Sequence, residues 1–593
     1  MDKKIKYGLS FLVAVFLILY IWDFLNLFTL RPIHIVFWIF LAASVGFILA
    51  GKNLSGHRKL YTAACFVALL CIYSFRVLPD LYTPYLWCED GLHLIQRSIL
   101  GGPASLFEHS AGYCWLLPKL ISLLCYWFCL LFNNITLLPQ LQGAVAKIIA
   151  VASIMYFMSD RFEWLVKSRV WRFAICVLVV LFIPQSAYDT VPVDTSLPFV
   201  MNFTVFIIGL DCLLGPKARP VTVFETVFLS VLSLSTASAP FCAAVAVFAL
   251  GRWFWDKGEK KEHVPAAVIC TAIVSACALF QTVTTVLSPR EVSDLSIVQR
   301  LIICAHDFIF FPYFESYGSA LMWIAAFAGW IAIACLAKTS WKIVLYSGIY
   351  SYGFLFYCSM VGNPGVITEV ISSGIGARYY LMNYMIAFFL LGVHIFRLMQ
   401  SDKVGKSMGA AICLAVFFMA GPTYFISIPT PDLAFPYAYG SGLFDRVGTN
   451  MLVIPIAPTT YYKMVIPFEI SDFTPASGDA FFEVDDISEQ DPASMFDPAS
   501  GVSGYKVSGW AADPDGNPFE YVLLVWLGNQ YEAPTAVISR QDVSERFNND
   551  RSDYGFTFDV DTDVLSTGDV SLVGITSDGQ IYNWSTGADI AAQ

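Results

Sequence analysis

The residues best suited to chemistry are two adjacent carboxylates, Glu89 and Asp90, in the stretch Trp87–Gly91. They follow a long apolar segment and precede another, so we expect them to lie beside a membrane. Ionisable groups at that depth are costly unless water, a cation or a substrate meets them. A carboxylate that reaches a hydroxyl can act as a general base, which accelerates a reaction by roughly 10²–10⁴. We predict Asp90 as the base and Glu89 as its partner; the alternative is that both are solvated loop charges or pair with Arg97 and Lys119.

Positive charge is also present and could stabilise a departing phosphate. The predicted phosphate contacts are Arg378, which opens a late apolar segment, Lys119 and Arg97. Arg can grip a phosphate with two N–H groups, whereas Lys acts as a point charge. For each of the three, anchoring at the membrane surface or a local ion pair is the alternative. The side chains predicted to bind the sugar or the acceptor are Trp87, His93, Tyr113, Asp189 and Asp194.

The composition indicates a polytopic membrane protein. The chain has 593 residues, of which 57% are hydrophobic and only 14% charged, and its mean hydropathy is +0.63. That apolar content exceeds what a soluble protein of this size needs. The net charge of −11 is concentrated in a strongly acidic C-terminal part, which predicts two domains in two environments and excludes nucleic acid as a partner. No Cys/His spacing indicates a zinc site.

Thirteen apolar segments are predicted to span the membrane. They run approximately over residues 8–26, 33–50, 60–78, 138–157, 173–186, 197–214, 221–237, 238–254, 264–287, 319–337, 343–361, 379–398 and 407–424. With a cytoplasmic N-terminus, the basic clusters between spans fall on the cytoplasmic side, as the positive-inside rule requires. The acidic pair and the acidic tail then lie outside. Counting the apolar stretch 113–132 as a span would reverse this order, so we predict a re-entrant or interfacial helix there.

The chain changes character after the membrane region, which we place at 1–427. Residues 428–467 are rich in Pro, Tyr and Gly and predict a linker on the external membrane face. Residues 468–593 predict an all-β domain of sandwich or jelly-roll type, with turns at Asp513–Pro518 and Ser577–Gly579. The stretches that alternate as strands do are Tyr505–Ala511, Tyr521–Trp526, Tyr554–Val560 and Val570–Ile575. The aromatic residues that could stack on sugars, or instead form the core, are Trp510, Trp526, Tyr531 and Trp584.

Four pieces of the chain, in this order, resemble bacterial GT-C-fold glycosyltransferases, in the style of the serotype-converting O-antigen glucosyltransferases. The pieces are Trp87–Gly91, Ala111–Leu120, Ser235–Phe241 and Gly376–Tyr380. The resemblance implies a GT-C-like domain whose inverting chemistry uses a polyprenyl-phosphate sugar on the external face, with an acidic residue of the first external loop as base. Lys119 replaces the Arg typical of the family, which loses the bidentate grip. The stretch 189–202 lacks an expected Glu- and Asn-rich element, so the sugar stays undetermined.

The resulting prediction is a hexosyltransferase of the bacterial plasma membrane, with a cytoplasmic N-terminus and an extracytoplasmic β-domain. It would move a hexose, glucose being one candidate, from a polyprenyl-phosphate donor to a surface glycan such as O-antigen or wall polysaccharide. Its partners would be the donor, the glycan acceptor and the lipid bilayer. The sequence indicates no particular cofactor, and the adjacent carboxylates could hold Mg²⁺ or Mn²⁺.

Two alternatives remain. A transporter or flippase of glycan lipids predicts polar groups across the bilayer centre, where the predicted spans are nearly free of charge. A glycan polymerase or ligase with a pyrophosphate-linked donor would share substrates and location, and the sequence separates it poorly from the first reading.

Overall fold

The computed structural model describes eighteen stretches of the chain. They are residues 39–46, 48, 58–75, 86, 89–110, 112–132, 134–181, 196–256, 264–288, 296–310, 331–361, 381–413, 434–443, 448–456, 462–490, 504–561, 564 and 570–585. The chain divides into two units, Met1–Phe75 and Arg76–Gln593. The first unit contains the apolar helix α1, Arg58–Phe75. The second unit carries the candidate site and the strand-rich C-terminal region.

The first part of the second unit is mainly α-helical. Its helices are α2 (Gln96–Gly101), α3 (Leu116–Leu131), α4 (Leu138–Ile154), α5 (Arg169–Leu181), α6 (Leu197–Leu214), α7 (Val223–Ser233), α8 (Ala239–Trp255), α9 (Val264–Leu287), α10 (Ile297–Phe310), α11 (Trp341–Val361) and α12 (Leu381–Gln400). A π-helix, Asp90–Ile95, runs into α2, and a 3₁₀-helix, Gly102–Phe107, follows it. The short strands β1 (His109–Ser110) and β2 (Tyr113–Cys114) form an antiparallel pair before α3.

Among the described residues, five helices are long and apolar enough to cross a membrane. They are Ile135–Met158, Leu197–Leu214, Val264–Leu287, Trp341–Met360 and Leu381–Gln400. Two of them, α6 and α9, have the bounds of predicted spans. Four shorter apolar helices, Lys59–Ser74, Leu116–Leu131, Val223–Ser233 and Ala239–Trp255, occupy three further predicted spans and the predicted re-entrant segment. The predicted span 8–26 lies outside the described residues. A membrane-type helical domain is therefore present, whereas thirteen crossings and their sidedness stay predictions.

Helix α6 lies at the centre of the helical domain. Every residue from Leu197 to Cys212 is buried, because α4, α8, α11 and α12 pack around it. A helix that is apolar on all sides needs such surroundings. Outer helices instead present apolar side chains to the exterior. On α3, Leu124, Trp127, Phe128 and Leu131 are exposed at helical spacing, which is the pattern expected of a face in contact with lipid.

The C-terminal region begins with helix α13 (Ala434–Ser441) and then forms two sheets. Its strands are β3 (Asn450–Ile456), β4 (Tyr462–Phe468), β5 (Thr474–Pro475), β6 (Phe481–Gln490), β7 (Gly504–Ala512), β8 (Tyr521–Trp526), β9 (Gln530–Glu532), β10 (Ala536–Ile538), β11 (Gly555–Asp561), β12 (Val570–Ile575) and β13 (Gln580–Ser585). Helix α14 (Gln541–Phe547) lies between β10 and β11. One sheet has the order β10-β11-β7-β6, and the other has the order β4-β3-β9-β8-β12-β13-β5.

All four predicted strands are present, as β7, β8, β11 and β12, and the predicted turns lie between strands. Gly516 and Gly579 each adopt φ +82° there, a conformation that glycine takes without steric cost. The core draws on both sheets, including Val507 of β7, Leu524 of β8 and Phe558 of β11. A strand-rich C-terminal region is therefore confirmed, whereas its standing as a separate domain and its jelly-roll topology stay predictions.

The C-terminal aromatic residues pack inside the domain, as the core interpretation predicted. Trp510 and Tyr531 are 4% and 8% exposed. Trp526 and Trp584 are half-buried against the core, and the ring of Trp584 stacks on Phe482 with centroids 5.7 Å apart. Their faces are therefore engaged with protein, which argues against the sugar-stacking alternative.

The segment predicted as a linker contains regular structure. Helix α13 and the hairpin β3–β4 lie within 428–468, and β4 is an edge strand of the seven-stranded sheet. Strand β3 pairs with β4 on one side and runs parallel to β9 on the other. The predicted boundary at 468 thus falls at the end of a hairpin that belongs to the sheet.

Candidate active site

The acidic pair lies at the start of a helical segment. Glu89 is half-buried and has helical backbone angles, and Asp90, 8% exposed, is the first residue of the π-helix. The Gln96 N–H donates to the Gly91 carbonyl, five residues earlier, which is the spacing of a π-turn. Wide turns of this kind occur frequently at functional sites. The sequence predicted a loop here, but from Glu89 onward the backbone is helical, because the π-helix is packed against α3 and β4.

Lys119 lies inside the protein at the beginning of α3. Its side chain is fully buried, and Nζ donates to the Glu108 carbonyl oxygen at 2.6 Å. Arg97 is half-exposed, and its Nη1 lies 3.8 Å from Oε2 of Glu108. The two described phosphate candidates therefore converge on one residue, Glu108, one from inside and the other from the surface.

Three aromatic rings lie together, and their residues stand between the acidic pair and Lys119 in the sequence. The ring of Trp115 meets His93 edge-on, with centroids 5.6 Å apart, and lies 5.5 Å from the ring of Tyr113. Sequence reasoning selected His93 and Tyr113 but missed Trp115, which is only 4% exposed. Its indole N–H finds no acceptor among the described residues. The signal available in the sequence was its position directly after Tyr113-Cys114, at the start of a helix.

Helix α9 fixes the strand that precedes α3. The side chain of Gln281 is fully buried, its Oε1 accepts from the Cys114 N–H at 3.2 Å, and its Nε2 donates to the Cys114 carbonyl at 2.8 Å. Ser288, at the end of the same helix, donates to the Gly112 carbonyl at 3.1 Å. The side-chain amide of Gln281 therefore makes the two hydrogen bonds to Cys114 that the backbone of a neighbouring strand would otherwise make. Sequence reasoning did not select Gln281, because its partner lies 167 residues away.

Two of the pieces that carry the family resemblance lie side by side. The Leu117 N–H, in the piece 111–120, donates to Oγ of Ser235 at 2.9 Å. The adjacent Leu116 N–H donates to the Leu234 carbonyl at 3.1 Å. These bonds satisfy N–H groups in the first turn of α3, which have no partner within the helix. The turn that begins at Ser235 therefore positions the start of α3, and with it Lys119.

Several predicted site residues lie outside the described residues. They are Trp87, Asp189, Asp194 and Arg378. The described part of the candidate site thus comprises Glu89, Asp90, His93, Arg97, Tyr113 and Lys119, all of which belong to the π-helix, α2, β2 or α3, or adjoin them. Within the described stretches, no group of three or more His, Cys, Asp or Glu side chains could hold a metal ion.

These elements form one framework: the π-helix packs against α3, the turn at Ser235 bonds to α3, and Gln281 bonds to β2. It packs the π-helix that begins at the buried carboxylate Asp90 on α3, the helix that carries the buried ammonium group of Lys119, and His93 of the π-helix meets Trp115 at the start of α3. Such a set could deprotonate a hydroxyl and stabilise an anionic leaving group. In comparisons with known proteins, the chain matches no family model, no curated protein and no solved structure.

Proposed function

We propose that this protein is a membrane glycosyltransferase that moves a hexose from a polyprenyl-phosphate donor to a cell-surface glycan. The observation that carries the proposal is the burial of Asp90 in a π-helix that packs on α3, the helix that buries Lys119. Carboxylates on a flat, exposed loop would have argued against it. The membrane-type helices support access to a lipid-linked donor.

In the proposed reaction, the acceptor hydroxyl attacks the anomeric carbon of the donor sugar from the face opposite the phosphate. Asp90 takes the hydroxyl proton as the new C–O bond forms. The bond between the anomeric carbon and the phosphate oxygen breaks, and polyprenyl phosphate leaves with the electron pair. The configuration at the anomeric carbon of the transferred sugar is thereby inverted. Glu89 orients the acceptor or the base. Because charge develops on the leaving phosphate, preorganised cations stabilise the transition state more than the ground state.

Further residues would have supporting roles. Arg378, Lys119 and Arg97 would contact the phosphate, whereas Trp87, His93, Tyr113, Asp189 and Asp194 would hold the sugar or the acceptor. Lys119 already donates to a backbone carbonyl, so it would act from within the fold and stabilise the region around Glu108. The catalytic face would be extracytoplasmic in a bacterial plasma membrane, and the C-terminal sheets would lie on that side.

The test is transfer by the purified full-length protein, with polyprenyl-phosphate glucose and a short acceptor glycan, with and without EDTA. We expect Asp90→Asn to lower kcat by at least about 100-fold, within the range of a lost general base. Glu89→Gln should have a smaller effect. The matched control is Asp515→Asn, because Asp515 is an exposed carboxylate in a turn of the C-terminal domain. Wild-type activity in both Asp90→Asn and Glu89→Gln would move the chemistry elsewhere and favour the transporter.

A further inference from the structure

The hairpin β3–β4 of the C-terminal domain contacts the acidic segment at two points. The backbone N–H of Val465, in β4, donates to Oε1 of Gln96 at 2.9 Å. At the other point, the side chain of Ile456, at the end of β3, covers Gly91 so closely that a Cβ atom there would lie 2.4 Å from Cδ1 of Ile456. Gly91 and Ile456 are both buried.

The two contacts are made at the two ends of one π-turn, which runs from Gly91 to Gln96. Gln96 donates its own N–H to the carbonyl of Gly91, so the residues touched by the hairpin are joined by the π-type hydrogen bond. Asp90 precedes this turn directly. A displacement of the hairpin would therefore act on the turn that carries the carboxylate.

The hairpin is suited to hold this turn because it is anchored in a large sheet. Ile456 lies opposite Tyr462, and Val453 lies opposite Val465, in an antiparallel ladder whose other side continues through β9. Strand β4 forms the edge of the sheet. An edge strand has backbone N–H groups that no neighbouring strand pairs. At Val465 the acceptor is Oε1 of the Gln96 side chain.

Gly91 is a sensitive point in this contact. Its backbone angles are not in the left-handed region, so alanine would cause no backbone strain. The obstacle to a Cβ atom is a single atom, Cδ1 of Ile456, because the next nearest atoms of Ile456 lie 3.7 Å away. Replacing Ile456 by valine removes that atom and should make room for the added methyl group.

We propose that the hairpin β3–β4 sets the position of Asp90, with Gly91, Gln96 and Ile456 as positioning residues. The C-terminal sheet is then part of the frame of the active site and not only an accessory for the acceptor. The catalytic consequence rests on the proposed function, whereas the positioning itself does not.

The experiment is a mutant cycle in the full-length protein: Gly91→Ala, Ile456→Val and the double variant. Gly251→Ala serves as the control, because nothing lies within 4 Å of a Cβ atom at Gly251. Since a misplacement of about 1 Å can cost 10²-fold, we expect Gly91→Ala to lower kcat by roughly 10–100-fold, with KM changed by less than about threefold. Ile456→Val, which removes the contacting atom, should lower kcat less than Gly91→Ala does, Gly251→Ala should stay near wild type, and the double variant should recover kcat to within about threefold.

A second readout keeps the result independent of the reaction. Hydrogen–deuterium exchange of the peptide 89–101 should rise in Gly91→Ala and return to the wild-type level in the double variant. If the wild type transfers no sugar, the proposed function fails, but the exchange data still decide on the positioning. Unchanged exchange in Gly91→Ala, or a double variant no better than Gly91→Ala in either readout, would overturn the inference. If Gly91→Ala does not fold, Gln96→Leu removes the other contact and should raise the same exchange.

Discussion

A buried ion pair in the C-terminal domain allows a quantitative prediction. Nζ of Lys463, in β4, lies 3.0 Å from a carboxylate oxygen of Glu532, in β9, and the two side chains are 10% and 0% exposed. Asp561 is a second, partly exposed partner, 3.4 Å from the same Nζ. Burial raises the pKa of the Glu532 carboxyl, and the ammonium group of Lys463 opposes that rise. Replacing Lys463 by methionine would leave Glu532 buried without its principal partner.

The loss of folding stability in Lys463→Met is set by the less costly of two responses of the Glu532 carboxyl group, which can stay ionised or take up a proton. If Glu532 stayed ionised, the variant would lose an attraction of about 5.5 kcal/mol, from Coulomb's law at 3.0 Å and an effective dielectric constant of 20. If Glu532 takes up a proton instead, the cost is about 1.36 kcal/mol for each pH unit above its unfolded pKa of about 4.3. That is about 3.7 kcal/mol at pH 7 and about 1 kcal/mol at pH 5. Protonation costs less, so it should determine the outcome.

The sign of the pH dependence follows from the same argument. In Lys463→Met the folded pKa of Glu532 lies well above its unfolded value, so unfolding releases a proton. Relative to wild type, the variant is therefore least impaired below pH 4.3 and loses stability as the pH rises from there towards the folded pKa. In wild type the ammonium group of Lys463 opposes the rise in the Glu532 pKa, so the carboxylate stays ionised to a lower pH than in the variant.

The assay is thermal unfolding of the full-length protein in detergent, followed by tryptophan fluorescence. We expect the transition of the C-terminal domain to fall by roughly 7–15 °C at pH 7 and by only a few degrees at pH 5. Lys506→Met is the control, because Lys506 is exposed on β7. The double variant Lys463→Met/Glu532→Gln should lie near wild type, since removing both charges is often neutral. An equal loss at both pH values would refute the reasoning, as would no loss at pH 7.

Two further predictions concern packing. Gln281→Leu should lower the transition temperature of the helical domain and reduce transfer, because it leaves the buried N–H and carbonyl of Cys114 without partners at roughly 1–3 kcal/mol each. The control is Thr284→Ala, one turn away and half-buried. Equal behaviour of the two variants would contradict the role of Gln281. Gly509→Ala should destabilise the C-terminal domain by roughly 1–3 kcal/mol or more. The reason is steric, because a Cβ atom at Gly509 would lie 2.2 Å from the Glu483 carbonyl oxygen and 2.8 Å from the ring of Phe556. Thermal unfolding unchanged from wild type would contradict that packing.

The sequence predicted the features that depend on local pattern. Apolar runs located α6 and α9 with the bounds that the structure has, because hydrophobicity over about 20 residues is a property of the segment itself. Alternation of polar and apolar residues located β8 and β12 in the same way, and glycine in the Asp513–Pro518 turn follows from its conformational freedom. Glu89 and Asp90 were selected because ionisable residues beside apolar segments are unusual.

Tertiary structure decided what the local pattern leaves open. The hairpin β3–β4 arose in a stretch that looked like a linker, because its strands are stabilised by pairing with β9 rather than by their own composition. Val465 reaches Gln96 across 369 positions of the chain. Hydrophobic periodicity specifies which face of an element is buried, but not which distant element covers it. The burial of Asp90, the close cover over Gly91 and the recruitment of Trp115 therefore depend on how the helices and the sheet pack together.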